Sequence, residues 1–290
     1  MSQQSLKQEV EEIVKIALKE DLAFDDTTSD LTITQNSKIK FQINSREEII
    51  FCGEDVISET FKQLKSCKKF KDAEIKLNLY KKDGHKVKKN QMIASGEGDS
   101  KLILAAERTI LNLIQHLSGI ATLSNQFVEK LDDKKIKILD TRKTIPGLRN
   151  LQKYSTKIGG CKNHRFNLSD MILIKDNHIA ASGSITAAIN NAKKNNKKLK
   201  IEIECDNIKQ VAEAIYSEPD IIMLDNMNIS EIKKSSELIR SYKNKEIMIE
   251  VSGGINLKTI NKYSHLDIDF ISVGSLTHSV KAVDIGLDIL

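Results

Sequence analysis

Apolar residues fall at helical spacing near the start of the chain, where Val10, Ile13, Val14, Ala17 and Leu18 mark one face of an amphipathic helix over residues 5–19. The polar stretch DLAFDDTTSD ends that helix. Between Lys38 and Gly98, short β-rich runs at 39–43, 49–52, 75–80 and 91–94 alternate with turns, and one helical pattern, Val56 to Leu64, interrupts them. The segment DGHKVKKNQMIASGEG brackets two short apolar runs with turn residues, which predicts a compact hairpin-like unit. This first half reads as a small α/β sandwich.

From Lys101 to Leu131 there is no Pro and a single Gly, Gly119, within a dense apolar pattern. The pattern predicts one long helix or two abutting ones, mostly buried. Arg108, Asn112, Gln115 and Gly119 form a narrow polar stripe along it. On periodicity alone that stripe is an ordinary solvent face.

Beyond this helix the pattern becomes regular. Six short apolar runs, IKIL, MILI, KIEI, DIIML, IMIEV and DFISV, end at Asp140, Lys175, Glu204, Asp225, Ser252 and Gly274, at intervals of 21 to 35 residues. That is the repeat expected of βα units around a parallel barrel, whose strand C-termini open on one mouth. The six end residues are therefore expected to converge.

Composition narrows the class. A chain of 290 residues holds a sizeable core and has room for two domains, and 40% hydrophobic with 29% charged residues is ordinary for a soluble globular protein. The net charge of +5 comes from 45 basic against 40 acidic residues, so the surface is mixed. With five Tyr, eight Phe and no Trp, no basic segment interleaves aromatics as a single-strand stacking platform would, and nucleic-acid binding is not expected. Cys52, Cys67, Cys161 and Cys205 lie far apart without metal-ligand spacing, which predicts reduced, mostly buried cytosolic thiols. No signal-peptide core or membrane-length apolar run is present, so a soluble cytoplasmic protein is expected.

The chemistry lies at the strand ends. SGGI and VGSLTHS, after the last two runs, combine glycine with a hydroxyl and offer backbone amides, as phosphate cradles of α/β barrels do. Glu204 and Asp225, at adjacent strand ends, suit ribose hydroxyls or a magnesium ion, and equally suit a plain ion pair with Lys175 or Arg142. The segment from Asp140 to His178, DTRKTIPGLRNLQKYSTKIGGCKNHRFNLSDMILIKDNH, collects Arg142, Lys143, His164, Arg165 and Lys175. Like charges ~4 Å apart repel by about 4 kcal/mol at an effective dielectric of ~20, so the cluster expects an anion carrying phosphate and carboxylate. The HExxH and GxSxG hydrolase patterns are absent.

EDLAFDDTTSD, ERTILNLIQHLSGIAT, DTRKTIPGLR, GGCKNHRFNLSDMILIKDNH, IEIECDN, IIMLDNM, EVSGGI and SVGSLTHS, in this order and spacing, resemble the quinolinate phosphoribosyltransferase family nearly end to end. The resemblance implies an α/β fold with an N-terminal α/β sandwich domain and an incomplete, roughly six-stranded parallel α/β barrel. Domain boundaries are expected at 1–112 and 113–275, with 276–290 packing back on the first domain.

The implied activity is transfer of phosphoribose from phosphoribosyl pyrophosphate to quinolinate with decarboxylation, yielding nicotinate mononucleotide, pyrophosphate and CO2 for NAD biosynthesis, with Mg2+ as cofactor. The family likeness further implies a homodimer or higher homo-oligomer in which Arg108 reaches the neighbouring active site. Arg108, Arg142, His164 and Arg165 are then expected on the carboxylates of quinolinate, and Lys143 and Lys175 on the phosphorylated substrate and the pyridine carboxylate. Glu204 and Asp225 are expected on the ribose or the magnesium shell, and Ser252, Gly253, Gly254, Gly274 and Ser275 on the 5-phosphate. Lys143, Lys175, Glu204 and Asp225 form the implied catalytic set, and His164 joins the two lysines as a candidate for protonating C2. Two positions depart from the usual motifs, Ile145 within DTRKTIPGLR and Cys161 where a third glycine often stands. A nicotinate phosphoribosyltransferase or the related protein found with molybdenum transport, and a non-catalytic phosphosugar-binding barrel, are the competing readings.

Overall fold

The computed structural model describes residues 3–196 and 198–290. In chain order, α1 (Gln3–Glu20) and α2 (Thr27–Thr32) lead into β1 (Lys38–Ser45), β2 (Ile49–Ile50) and α3 (Glu54–Ser66). Next come β3 (Ile75–Leu79), β4 (Lys86–Val87), β5 (Met92–Asp99) and the long α4 (Ser100–Leu131). The second half begins with β6 (Lys137–Leu139), α5 (Arg149–Ile158), β7 (Ile172–Ile174), α6 (Asp176–Ser182) and α7 (Ile185–Asn195). It continues through β8 (Ile201–Cys205), α8 (Ile208–Tyr216), β9 (Ile221–Asp225), α9 (Ile229–Ser241), β10 (Met248–Ser252), β11 (Phe270–Ser272), α10 (Ser275–His278) and β12 (Ile285–Ile289).

Two compact units result. One comprises the chain up to Asn125 together with Ile145–Gly160 and Ser279–Leu290, and the other comprises Gln126–Thr144 and Cys161–His278. The boundary expected at 112/113 falls inside α4, which is one continuous helix.

In the first unit an antiparallel sheet runs in the order β12, β1, β5, β3. Val10, Val14 and Leu18 of α1 are buried, as are Val56, Ile57, Phe61 and Leu64 of α3, so each helix commits one apolar stripe to the core. The hairpin expected around residues 83–98 does not form. Lys86 and Val87 instead pair antiparallel with Ile50 and Ile49, while β5 pairs with β1 and β3. Two-residue strands are too short to carry a periodic signal, and the partner is chosen by burial of Ile49 and Val87.

The polar stripe of α4 is a solvent face only in part. Arg108 and Asn112 are exposed, but Gln115 donates through Nε2 to the Ile285 carbonyl at 2.7 Å and accepts from the Val283 N–H through its own carbonyl. At Gly119 the C-terminal segment comes so close that a Cβ would stand 2.5 Å from the Lys281 carbonyl oxygen.

The second unit is an open α/β barrel of six parallel strands in the order β6, β11, β10, β9, β8, β7. Period-two alternation sorts its side chains. Ile201, Ile203, Ile222, Leu224, Ile249 and Val251 take one parity and are buried, as are Val211, Ile215, Ile232 and Ile239 of the surrounding helices. Glu202, Glu204, Met223, Asp225, Glu250 and Ser252 take the other parity, so the inner wall is unusually polar. Ser184, Asn207 and Asn228 cap the N-termini of α7, α8 and α9 by accepting from backbone N–H groups of the first turn. The free edge of β6 is met by the segment at Lys162, whose N–H donates to the Ile138 carbonyl and whose carbonyl accepts from the Asp140 N–H. Among the described residues no helix is long and apolar enough to cross a membrane.

Candidate active site

The C-terminal ends of the six strands surround a cavity of about 710 Å3. Arg142, Lys143, His164, Arg165, Lys175, Glu204, Asp225, Ser252, Gly253, Gly254, Gly274 and Ser275 all line it. Every lining residue belongs to the second unit. Arg108 lies on α4 in the first unit, exposed and with no side-chain hydrogen bond or ion pair among the described residues. Asp140, the first of the expected strand ends, does not line the cavity. It is buried beneath it, where Oδ1 accepts the His164 N–H at 2.9 Å and Oδ2 accepts from Asn163 Nδ2 at 2.6 Å. The Asp140 carboxylate thus braces the NHR turn that carries His164 and Arg165.

The basic wall is poised for an anion. Arg142 has a buried Nε without an acceptor among the described residues. Arg165 donates through Nη1 to the Met171 carbonyl at 3.2 Å, and its hold on its proton is weakened by burial first and by Arg142 second. Two guanidiniums in mutual repulsion, one with an orphaned donor, are stabilised when an anion enters. Lys175 forms an ion pair with Glu204, the bland pairing open from the sequence, and its ammonium stays partly exposed to the cavity. Thr277 donates through Oγ1 to the Lys143 carbonyl at 2.8 Å, tying Lys143 to the last loop.

His164 is held from two sides. Its Nδ1 accepts the Arg165 N–H at 2.8 Å, so that nitrogen carries no proton, and Nε2 faces Glu202 Oε2 at 3.1 Å. Both nitrogens are engaged inside the protein while the ring bounds the cavity.

The turns after β10 and β11 line the cavity with backbone. Gly253 and Gly254 have φ of 100° and 65°, and the Asn226 N–H donates to the Ser252 carbonyl at 2.9 Å, interlocking the turns after β9 and β10. A Cβ on Gly253 would stand 2.2 Å from Asn226 Oδ1, so the turn requires glycine there. The carboxylates of Glu204, Asp206 and Asp225 bring one oxygen each to within 4.8 Å of one another. Such an all-oxygen set suits a hard divalent cation or ribose hydroxyls.

Two functional candidates escaped the sequence reading. Glu202 and Glu250 are fully buried carboxyl groups beneath the mouth, and Glu250 lines the cavity. Burial is the chief cause that pushes Glu202 up to about 7 and Glu250 up to about 8, and Glu202 adds to the rise at Glu250. The signal that could have found them is parity, because Glu202 lies two residues before Glu204 and Glu250 two before Ser252 on the same strand face.

Comparison with known proteins shows the family. The model of the quinolinate phosphoribosyl transferase C-terminal domain matches residues 120–288, and that of the N-terminal domain matches residues 26–118. The chain belongs to the quinolinate phosphoribosyltransferase family. It is 42% identical over 292 residues to a probable nicotinate-nucleotide pyrophosphorylase (carboxylating) of Methanocaldococcus jannaschii, covering 98% of this chain and 99% of that protein. Among solved structures, the nicotinate-nucleotide pyrophosphorylase of Francisella tularensis is 38% identical, with a TM-score of 0.90 and coverage of 98% of this chain and 97% of the other. That of Ehrlichia chaffeensis is 45% identical, with a TM-score of 0.88 and coverage of 96% and 98%.

Proposed function

We propose that this chain transfers phosphoribose from phosphoribosyl pyrophosphate to quinolinate and decarboxylates the adduct, yielding nicotinate mononucleotide, pyrophosphate and CO2 for NAD biosynthesis. The observation that carries this reading is one cavity lined both by Arg142 and Arg165, with a guanidinium donor orphaned among the described residues, and by the Ser252–Gly254 and Gly274–Ser275 turns.

In this reading the two arginines bind the quinolinate carboxylates, and Lys143 and Lys175 balance the charge of the phosphorylated cosubstrate. The glycine turns hold the 5-phosphate. Glu204 and Asp225 orient the ribose hydroxyls and, through water, would hold Mg2+, which supplies charge neutralisation for the departing pyrophosphate. As that group leaves, C1 of the ribose gains oxocarbenium character and the pyridine nitrogen attacks it, so positioning and electrostatics carry the step. Alkylation of the nitrogen then makes the ring an acceptor for the electron pair left when the C2 carboxylate departs. His164 lines the same wall and, through Nδ1, holds the Arg165 backbone.

We place the protein in the cytoplasm as a homodimer or higher homo-oligomer, with Arg108 completing the site of the neighbouring chain. Its exposure and lack of a partner among the described residues support that assignment. The decisive assay measures pyrophosphate release from phosphoribosyl pyrophosphate and magnesium with quinolinate or with nicotinate. Release with quinolinate alone is expected. Preference for nicotinate would indicate a nicotinate phosphoribosyltransferase, and no release with either would leave a phosphosugar-binding protein.

A further inference from the structure

We propose that Glu250, on the floor of the cavity, is the acid that protonates C2 of the pyridinium ring after CO2 departs. The proposal rests on the phosphoribosyltransferase reading above and assigns a step that reading leaves open.

Glu250 is fully buried, lines the cavity, and has neither carboxyl oxygen in a hydrogen bond among the described residues. A buried carboxylate in that condition is strongly disfavoured, whereas the neutral acid is not. The groups facing it are Glu202 from β8, His164 from the NHR turn and the Ser272 hydroxyl from β11, while β9 presents the uncharged Met223. His164 Nε2 stands 3.1 Å from Glu202 and 3.5 Å from Glu250, so the imidazole proton goes to the nearer Glu202. Two buried carboxyl groups this close, with one imidazole proton directed at Glu202, retain at least one proton between them near neutrality, and burial first and the Glu202 carboxyl second raise the proton affinity of Glu250.

Two of the other candidates are engaged elsewhere. His164 directs its one proton to Glu202, and Lys175 is paired with Glu204. A lysine that surrendered its proton would also leave a substrate anion uncompensated.

The step balances without a further reagent. The bond from C2 to the carboxyl carbon breaks, CO2 leaves, and the bonding pair stays on C2 beside the positively charged nitrogen. The carbanion recaptures CO2 until C2 is protonated, so the O–H bond of Glu250, breaking as the C2–H bond forms, makes the departure of CO2 irreversible and sets the rate of its net release. The resulting carboxylate shares the proton of Glu202 and is recharged from solvent when product leaves.

The test is a single-turnover reaction of wild type and Glu250→Gln with quinolinate, phosphoribosyl pyrophosphate and magnesium, following pyrophosphate and CO2 separately. Glu250→Gln is expected to release pyrophosphate within about 3-fold of wild type while CO2 release slows about 100-fold, the usual reach of a general acid. Equal slowing of both products, or unchanged CO2 release, would overturn the assignment. Should the variant fail to fold, the wild-type pH profile decides. CO2 release must fall as pH rises through about 8, and a profile flat across that range refutes the acid role. Wild type that releases no pyrophosphate from quinolinate fails at the earlier step, overturning the functional reading and this assignment with it.

Discussion

Replacing Gly253 with Ala probes the backbone wall where its tolerance is smallest. Gly253 has φ of 100°, and the added methyl would stand 2.2 Å from Asn226 Oδ1 and 2.8 Å from the Asn226 backbone nitrogen. The neighbouring Gly254 has φ of 65° and nothing within 4 Å of a built Cβ. Both substitutions incur a left-handed backbone cost of about 1–2 kcal/mol. Only Gly253→Ala adds the clash, and because a backbone atom is involved the turn must shift, at an overpacking cost of about 1–3 kcal/mol more. At about 2–4 °C per kcal/mol, Gly253→Ala should melt several degrees below Gly254→Ala. The shift would reach the sugar side of the site, since Asn226 donates through Nδ2 to Asp225 and through its N–H to the Ser252 carbonyl. Steady-state kinetics with each substrate varied in turn should show KM for phosphoribosyl pyrophosphate raised about 10-fold or more, equivalent to about 1.4 kcal/mol, and KM for quinolinate nearly unchanged. Equal melting of the two variants, or a parallel rise in both KM values, would refute the reasoning.

Mixing inactive Arg108→Ala subunits with inactive Lys175→Ala subunits should restore part of the activity through hybrid sites, and no recovery despite demonstrated subunit exchange counts against Arg108 working across an interface. Glu204→Ala or Asp225→Ala should weaken use of phosphoribosyl pyrophosphate more than binding of quinolinate, as calorimetry for each ligand would report; equal losses would sink that division of labour. Glu202 and Glu250 bind protons more tightly in the folded chain than in the unfolded one, where their ordinary value is 4.5. The folded state therefore holds the extra protons between about pH 4.5 and 8, and stability falls as pH rises across that window, at up to about 1.4 kcal/mol per pH unit for each group. Glu250→Gln should flatten the decline, being closest to wild type in melting temperature at pH 5 and more stable at pH 8.5, and an unchanged slope would refute it.

Much of the site was legible because a parallel barrel turns sequence into position. Each apolar run ends at the mouth, so Lys175, Glu204, Asp225, Ser252 and the turn at Gly274 could be placed together without knowing how the strands are ordered. Asp140 obeyed the same rule in sequence but not in space, since its carboxylate meets the backbone of the NHR turn 24 residues on. His164 could be recognised as a site residue, but its tautomer depends on the Arg165 N–H and the Glu202 carboxyl, which meet it only in the folded chain.

Local pattern by itself determined the elements and the mouth. Helical spacing marked α1, α3 and α4, period and punctuation marked the six barrel strands, and the charged strand ends announced an anion site. Tertiary structure alone decided the rest: that β4 pairs with β2, that the C-terminal segment covers Gly119, and that Glu202 and Glu250 are driven together in the barrel interior. The physical reason is that period and punctuation act through neighbours along the chain, whereas strand partnering and the proton affinity of a buried acid are set by groups distant in sequence that packing brings into contact.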